Sequence, residues 1–114
     1  MSTFIFAQSN LQYNQAKLIS ANDTVPVGKV WKVEGVIYSS IITSANNTDW
    51  SIVDKIFINS TTVVIRKSSV YNGYDKNNSI IWEQQFPLWM PAGTTLAPSD
   101  GVLYINVVEF NTVQ

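Results

Sequence analysis

Apolar and polar residues alternate with a period of two along most of the chain, most clearly from Lys29 onward. The apolar positions of this stretch are Trp31, Val33, Gly35 and Ile37. Lys32 and Glu34 lie between them. Because successive side chains of a strand point to opposite faces of its sheet, this pattern predicts a β-strand with one buried and one solvated face. We expect Trp31 in the core.

Further strands are predicted where the same period recurs or where β-branched residues cluster. They cover residues 3–8, 17–20, 50–58, 61–67, 79–86 and 101–111. The stretch 68–78 contains Asn72-Gly73 and Asp75 to Asn78, residue types that favour turns, and it should connect two antiparallel strands. Residues 10–19 also permit a helical turn, with Leu11 and Leu18 on one side.

These elements predict an all-β fold. Seven or eight short strands, separated by glycine, proline and asparagine turns and without alternating helices, are typical of a single antiparallel β-sandwich of jelly-roll-like form. The length of 114 residues suits one domain, and no linker interrupts the sequence. We therefore expect residues 1–114 to form a single β-sandwich domain.

Two segments share the pattern Pro-x-Gly followed by strand-like residues. They are residues 25–31 (VPVGKVW) and 90–96 (MPAGTTL). Proline presets φ at the second position of a turn and glycine supplies a free φ two residues later, so each segment should turn the chain into a sheet. The pair can represent two corners of a sandwich or the trace of a duplicated half jelly roll.

Composition argues against most catalytic chemistry. The sequence contains no histidine and no cysteine, charged residues make up 13% of it, and its net charge is −1. Histidine titrates near neutrality and cysteine is the readiest nucleophile, so we expect a protein that is not an enzyme and binds no cofactor or metal. The absence of a basic cluster disfavours nucleic acid as a partner, and no apolar run reaches the roughly 20 residues that span a membrane. Low net charge makes self-association easier.

The acidic residues give no clear sign of a metal site. Asp75, Asn77 and Ser79 imitate the opening of a calcium loop, but Ile80 and Phe86 stand where that loop needs glycine and glutamate. The sequence therefore predicts no calcium binding there.

Glu83 and Glu109 lie in strands that are otherwise apolar. We expect them to meet Lys55 or Arg66 across a sheet or a subunit boundary. Such pairs would fix strand register and would not be catalytic.

The aromatic residues are the strongest candidates for contact with a ligand or partner. Trp89 lies between Leu88 and Met90 in a segment that Pro87 and Pro91 bound, and proline cannot donate a hydrogen bond within a central strand. Its ring should therefore be displayed. The predicted contact residues are Phe86, Leu88, Trp89, Met90, Tyr71 and Tyr74. Exposed tryptophan and tyrosine rings suit both protein interfaces and stacking on sugars.

Three blocks of the sequence resemble small structural proteins of tailed bacteriophages, notably those that infect Bacteroidetes. They are VPVGKVWKVE (25–34), FPLWMPAGTTL (86–96) and the terminal VEFN (108–111), about a third of the chain. The resemblance implies a virion component that decorates or cements a capsid, or that forms part of a head fibre or tail. It implies a location in the virion, synthesis in the host bacterial cytoplasm and no catalytic residue.

Two functions follow as expectations. In the first, the chain is a non-enzymatic virion structural protein that contacts other virion proteins, such as major capsid, fibre or tail subunits. It would form a homo-oligomer, for example a trimer, through strand edges and the segment 86–96. In the second, it is a carbohydrate-binding or host-attachment module in which Trp89, Tyr71 or Tyr74 stacks on a host glycan.

Overall fold

The computed structural model describes residues 11–39, 50–70 and 78–112. This part of the chain is all β, and its two antiparallel sheets pack against each other, which confirms the predicted β-sandwich. The strands are β1 (Leu11–Ile19), β2 (Asp23–Thr24), β3 (Lys29–Tyr38), β4 (Trp50–Ile58), β5 (Thr61–Val70), β6 (Asn78–Glu83), β7 (Leu88–Met90), β8 (Thr95–Pro98) and β9 (Val102–Thr112).

The strands divide into a four-stranded and a five-stranded sheet. The four-stranded sheet has the order β1-β9-β3-β7, and the five-stranded sheet has the order β2-β8-β4-β5-β6. Strands β4 and β5 form a hairpin whose turn places Asn59 and Ser60 at positive φ. Strand β6 follows β5 in the same sheet. At the remaining connections between described strands the chain crosses from one sheet to the other, which brings the distant strands β3 and β9 together.

The core lies between the two sheets and is built from the inward positions of both. Its fully buried members are Ile19, Val25, Trp31, Val33, Ile56, Ile65, Leu96, Ile105 and Val107. Trp31 has no exposed surface, as its alternating strand predicted. The first half of β3 has the predicted sidedness, because Trp31 and Val33 are buried and Glu34 is exposed. The second half does not, because a bulge between Val33 and Gly35 shifts the alternation, so that Ile37 is 44% exposed and Val36 packs against the core.

Several element predictions need correction. The alternative helical turn at residues 10–19 is wrong, because β1 pairs with β9 from Leu11 to Ile19 and satisfies its backbone there. The strand expected at 17–20 is the end of this longer strand. The short strands β2, β7 and β8 were not predicted, since two to four residues carry too little periodicity to detect. The strand expected at residues 3–8 lies outside the described residues.

The two Pro-x-Gly segments are neighbouring corners of the sandwich. In each, the proline carbonyl accepts the closing hydrogen bond, from Lys29 N to Pro26 O at 3.1 Å and from Thr94 N to Pro91 O at 3.2 Å. Proline therefore occupies the first position of each turn. This corrects our expectation that it would occupy the second. Gly28 and Gly93 follow at the third position with φ of 79° and 91°, which makes glycine the suitable residue there.

The domain is elongated. Its extents are 59 × 26 × 22 Å and its radius of gyration is 17.4 Å, compared with about 13 Å for a compact chain of this size. The described residues include no helix long and apolar enough to span a membrane.

Candidate functional site

The outward side of the four-stranded sheet carries an apolar surface that we call the aromatic face. It consists of Tyr13, Leu18, Val30, Trp89, Val108 and Phe110. Most of these residues alternate along their strands with buried ones such as Trp31, Val107 and Met90, so they point away from the core. Tyr13, whose neighbours in β1 are exposed, is placed on this side by its pairing with Phe110. Tyr13, Leu18 and Trp89 are 65%, 55% and 49% exposed, and the other three are half-buried.

Strand pairing sets the members of the aromatic face in rows across the sheet. Phe110 of β9 is flanked by Tyr13 of β1 on one side and Val30 of β3 on the other. The next row contains Val108 and, on the far side of β3, Trp89 of β7. Lys32 separates these two residues within the row. Phe110 joins the two rows, because its ring lies beside that of Trp89 and its strand neighbours are Tyr13 and Val30.

Trp89 is held in place on this face although its ring is half-exposed. Its ring centroid lies 5.7 Å from that of Phe110 with the two planes tilted by 35°. Lys32 Nζ lies 5.7 Å from the ring centroid, and the same amine forms an ion pair with Glu34 Oε1 at 3.0 Å. These contacts restrict the orientation of the indole on the aromatic face.

The other predicted contact residues lie elsewhere. Met90 is buried in the core, and Phe86 and Leu88 are half-buried and pack against it. Tyr71 and Tyr74 lie outside the described residues. The aromatic face also includes Tyr13, Leu18 and Phe110, which were not predicted. The sequence signal that could have indicated this face was the presence of apolar residues on both sides of the C-terminal strand.

Strand β6 displays a second apolar surface. It lies at the edge of the five-stranded sheet and pairs with β5, and its consecutive residues Ile80, Ile81 and Trp82 are each about half-exposed. A bulge at Ile81 shifts the register between β5 and β6. Exposed apolar residues on an edge strand favour association with another chain.

The carboxylate of Glu109 is buried beneath the aromatic face. Trp31 Nε1–H donates to Glu109 Oε1 at 2.8 Å, and Gln15 Nε2 donates to Oε2 at 2.9 Å. The Asn14 amide also donates to Oε2. Burial raises the pKa of Glu109, but these hydrogen bonds and the charge of Lys17 outweigh it and hold the pKa below its usual value. Glu109 therefore fixes β1 to β9 and contacts neither Lys55 nor Arg66.

A second buried acid forms an ion pair within the five-stranded sheet, between its neighbouring strands β4 and β5. Arg66 Nε donates to Asp54 Oδ2 at 2.7 Å, and both side chains are almost fully buried. The guanidinium also stacks on Tyr38, with Cζ 3.5 Å from the ring centroid. Glu83 pairs in register with Arg66 across β5 and β6, as predicted, and accepts a hydrogen bond from Tyr38 Oη at 3.3 Å.

Two clefts open on the described surface. One, of about 400 Å³, is lined by Ala21, Asn22, Phe57, Ser60, Ala97 and Pro98 and has no charged group in its lining. The other, of about 290 Å³, is lined by Gly35, Val36, Tyr38, Glu83, Gln84, Gln85 and Phe86. Within the described residues, no three acidic side chains come together as a metal site would require.

No protein-family model, curated protein or solved structure matches the chain. Function must therefore be argued from the surfaces themselves.

Proposed function

We propose that this chain is a non-enzymatic structural protein that acts by packing against protein subunits, including further copies of itself. The aromatic face carries this proposal. Trp89, Phe110 and Tyr13 lie together on one side of a sheet, and tryptophan and tyrosine are the residues that contribute most often to protein interfaces. Contiguous exposed apolar patches, unlike single scattered apolar residues, mark sites of protein interaction.

Charge favours a second copy as the occupant of the aromatic face. Lys32 and Glu34 neutralise each other on this side of the sheet, and the whole chain has a net charge of −1. Two copies can therefore approach without strong repulsion. The edge strand β6, with Ile80, Ile81 and Trp82, offers a separate surface for a different neighbour.

The buried acids support a structural role. Glu109 and Asp54 are the two fully buried carboxylates of the described residues, and each is held by side-chain hydrogen bonds within the fold. Neither opens onto a cleft in the arrangement that acid–base catalysis needs. Under the proposal, both carboxylates fix neighbouring strands and have no catalytic role.

The sequence resemblance to tailed-phage proteins makes the proposal more specific. An auxiliary capsid protein that decorates or cements the head, or a head-fibre component, would use such surfaces against capsid or fibre subunits. Mass spectrometry and cryo-EM of particles purified from a tailed phage whose genome carries this sequence test this assignment. We expect the protein in stoichiometric, symmetric positions on the virion, and intact particles without it would contradict the proposal.

A further inference from the structure

The cleft beside Tyr38 is lined mostly by polar residues, unlike the aromatic face and the apolar surface of β6. It lies between the end of β3 and the segment that follows β6, and at about 290 Å³ it is near the lower size limit of small-molecule sites. A single six-membered ring with its substituents suits that volume. The cleft is therefore a separate candidate site.

The lining groups of this cleft bear complementary hydrogen-bonding chemistry. The Glu83 carboxylate accepts hydrogen bonds, whereas the carboxamides of Gln84 and Gln85 both donate and accept. Phe86 and Val36 add apolar surface. Glu83 and Gln85 are exposed, so a ligand can reach them.

The cleft is fixed by contacts outside it. Arg66 stacks on the Tyr38 ring and is itself held by Asp54, so the tyrosine cannot swing freely. The Gln84 backbone N–H donates to Ile65 O at 2.7 Å, which ties the segment after β6 to β5. Burial and the charge of Glu83 raise the pKa of Tyr38 to about 12, so its hydroxyl remains a donor at neutral pH.

We infer that this cleft binds a neutral pyranose unit of a glycan, with Glu83 and Gln85 contacting its hydroxyl groups. A carboxylate can accept from two adjacent hydroxyls at once, and carboxamides match the mixed donor and acceptor character of a sugar. The Glu83 charge disfavours phosphate or a uronic acid. Carbon atoms of Phe86 and Tyr38 in the lining supply the apolar contact that sugar C–H groups need.

NMR titration tests the inference. The ¹⁵N-labelled protein is titrated with methyl α-D-mannopyranoside, methyl β-D-galactopyranoside and N-acetyl-D-glucosamine into the millimolar range. We expect at least one sugar to shift the backbone amides of Gly35, Tyr38, Gln84 and Gln85. Absence of shifts with all three sugars, or shifts centred on Trp89 and Phe110, would overturn it.

Matched variants locate the binding. Glu83→Gln keeps the size of an exposed side chain and removes its charge, and we expect about tenfold weaker binding of the responding sugar. Glu34→Gln makes the same change outside the cleft and should leave affinity unchanged. Equal affinity in the Glu83→Gln variant would contradict the assignment. The inference does not rest on the proposed structural function. Sugar binding is measured by titration and self-association by sedimentation, so either proposal can fail without the other.

Discussion

Gly101 lies directly against the carboxyl group of Asp54. A methyl group built on Gly101 would lie 2.8 Å from Asp54 Cγ and in still closer conflict with Oδ1. Gly101 also adopts φ of 81°, a conformation that side chains with a Cβ disfavour. The turn between β8 and β9 thus covers the buried Asp54–Arg66 ion pair closely.

Gly101→Ala should therefore destabilise the fold by about 2 kcal/mol or more, through both backbone strain and displacement of Asp54. Urea denaturation measures the free energy of unfolding. Gly35→Ala is the control, because a Cβ there meets nothing within 4 Å and its φ is not positive. Equal unfolding free energies of the two variants would show that Gly101 and Asp54 are not in tight contact.

Removal of Arg66 should leave Asp54 charged and buried without its partner. We expect Arg66→Met to cost about 3–5 kcal/mol of unfolding free energy. Lys55→Met removes a mostly solvated ion pair, in which Nζ lies 3.7 Å from Asp100 Oδ2, and should cost under about 1 kcal/mol. Similar losses in both variants would contradict the assigned importance of the buried pair.

Glu109→Gln should reduce stability by about 2 kcal/mol at pH 7, since it replaces charge-assisted hydrogen bonds with neutral ones. The pKa of Glu109 is lowered in the folded state, so its contribution is present above the usual glutamate pKa and is lost as pH falls through the folded value. The difference between wild type and variant should therefore shrink as pH decreases below about 4.5.

Chemical denaturation across this pH range measures that difference. Glu34→Gln, which alters an exposed ion pair, should change stability by about 0.5 kcal/mol or less. A difference between wild type and Glu109→Gln that stays constant down to acid pH would show that the carboxylate is not stabilised by the fold.

Tyr38 should make the fold sensitive to alkali. Its pKa is raised to about 12 by burial and by Glu83, so the unfolded chain loses this proton first and stability falls as pH rises from about 10 to about 12. Tyr38→Phe cannot ionise and should lose less stability over the same range. Parallel losses in the two proteins would contradict the raised pKa.

The sequence predicted the sheets better than the surfaces. Alternation placed Trp31 and Val33 in the core, because a half-buried strand leaves a direct trace in its residue types. The aromatic face was harder to predict. Its residues Val108 and Phe110 alternate with the buried Val107 and Glu109, and because three of these four residues are apolar, β9 shows no clear polar side. Sequence alone could not tell which side of β9 faced solvent.

The buried networks depend on contacts between distant parts of the chain. Trp31 and Glu109 are 78 positions apart, and Tyr38 and Glu83 are 45 apart. A bulge in β1 between Tyr13 and Gln15 also brings Asn14 and Gln15 to the same carboxylate, which strict alternation does not allow. These partners follow from topology and bulge positions, which local patterns do not encode.

Sedimentation velocity of the purified protein tests the central claim that the aromatic face packs against further copies. We predict a homo-oligomer for the wild type and dissociation to monomer in Trp89→Ser, whereas Val27→Ser should remain oligomeric. Val27 is the matched control because it is 95% exposed, lies in the turn before β3 and is not a member of the aromatic face. A wild type that sediments as a monomer at a concentration on the order of 0.1 mM would contradict the account. Its free energy of self-association would then be less favourable than about −5 kcal/mol.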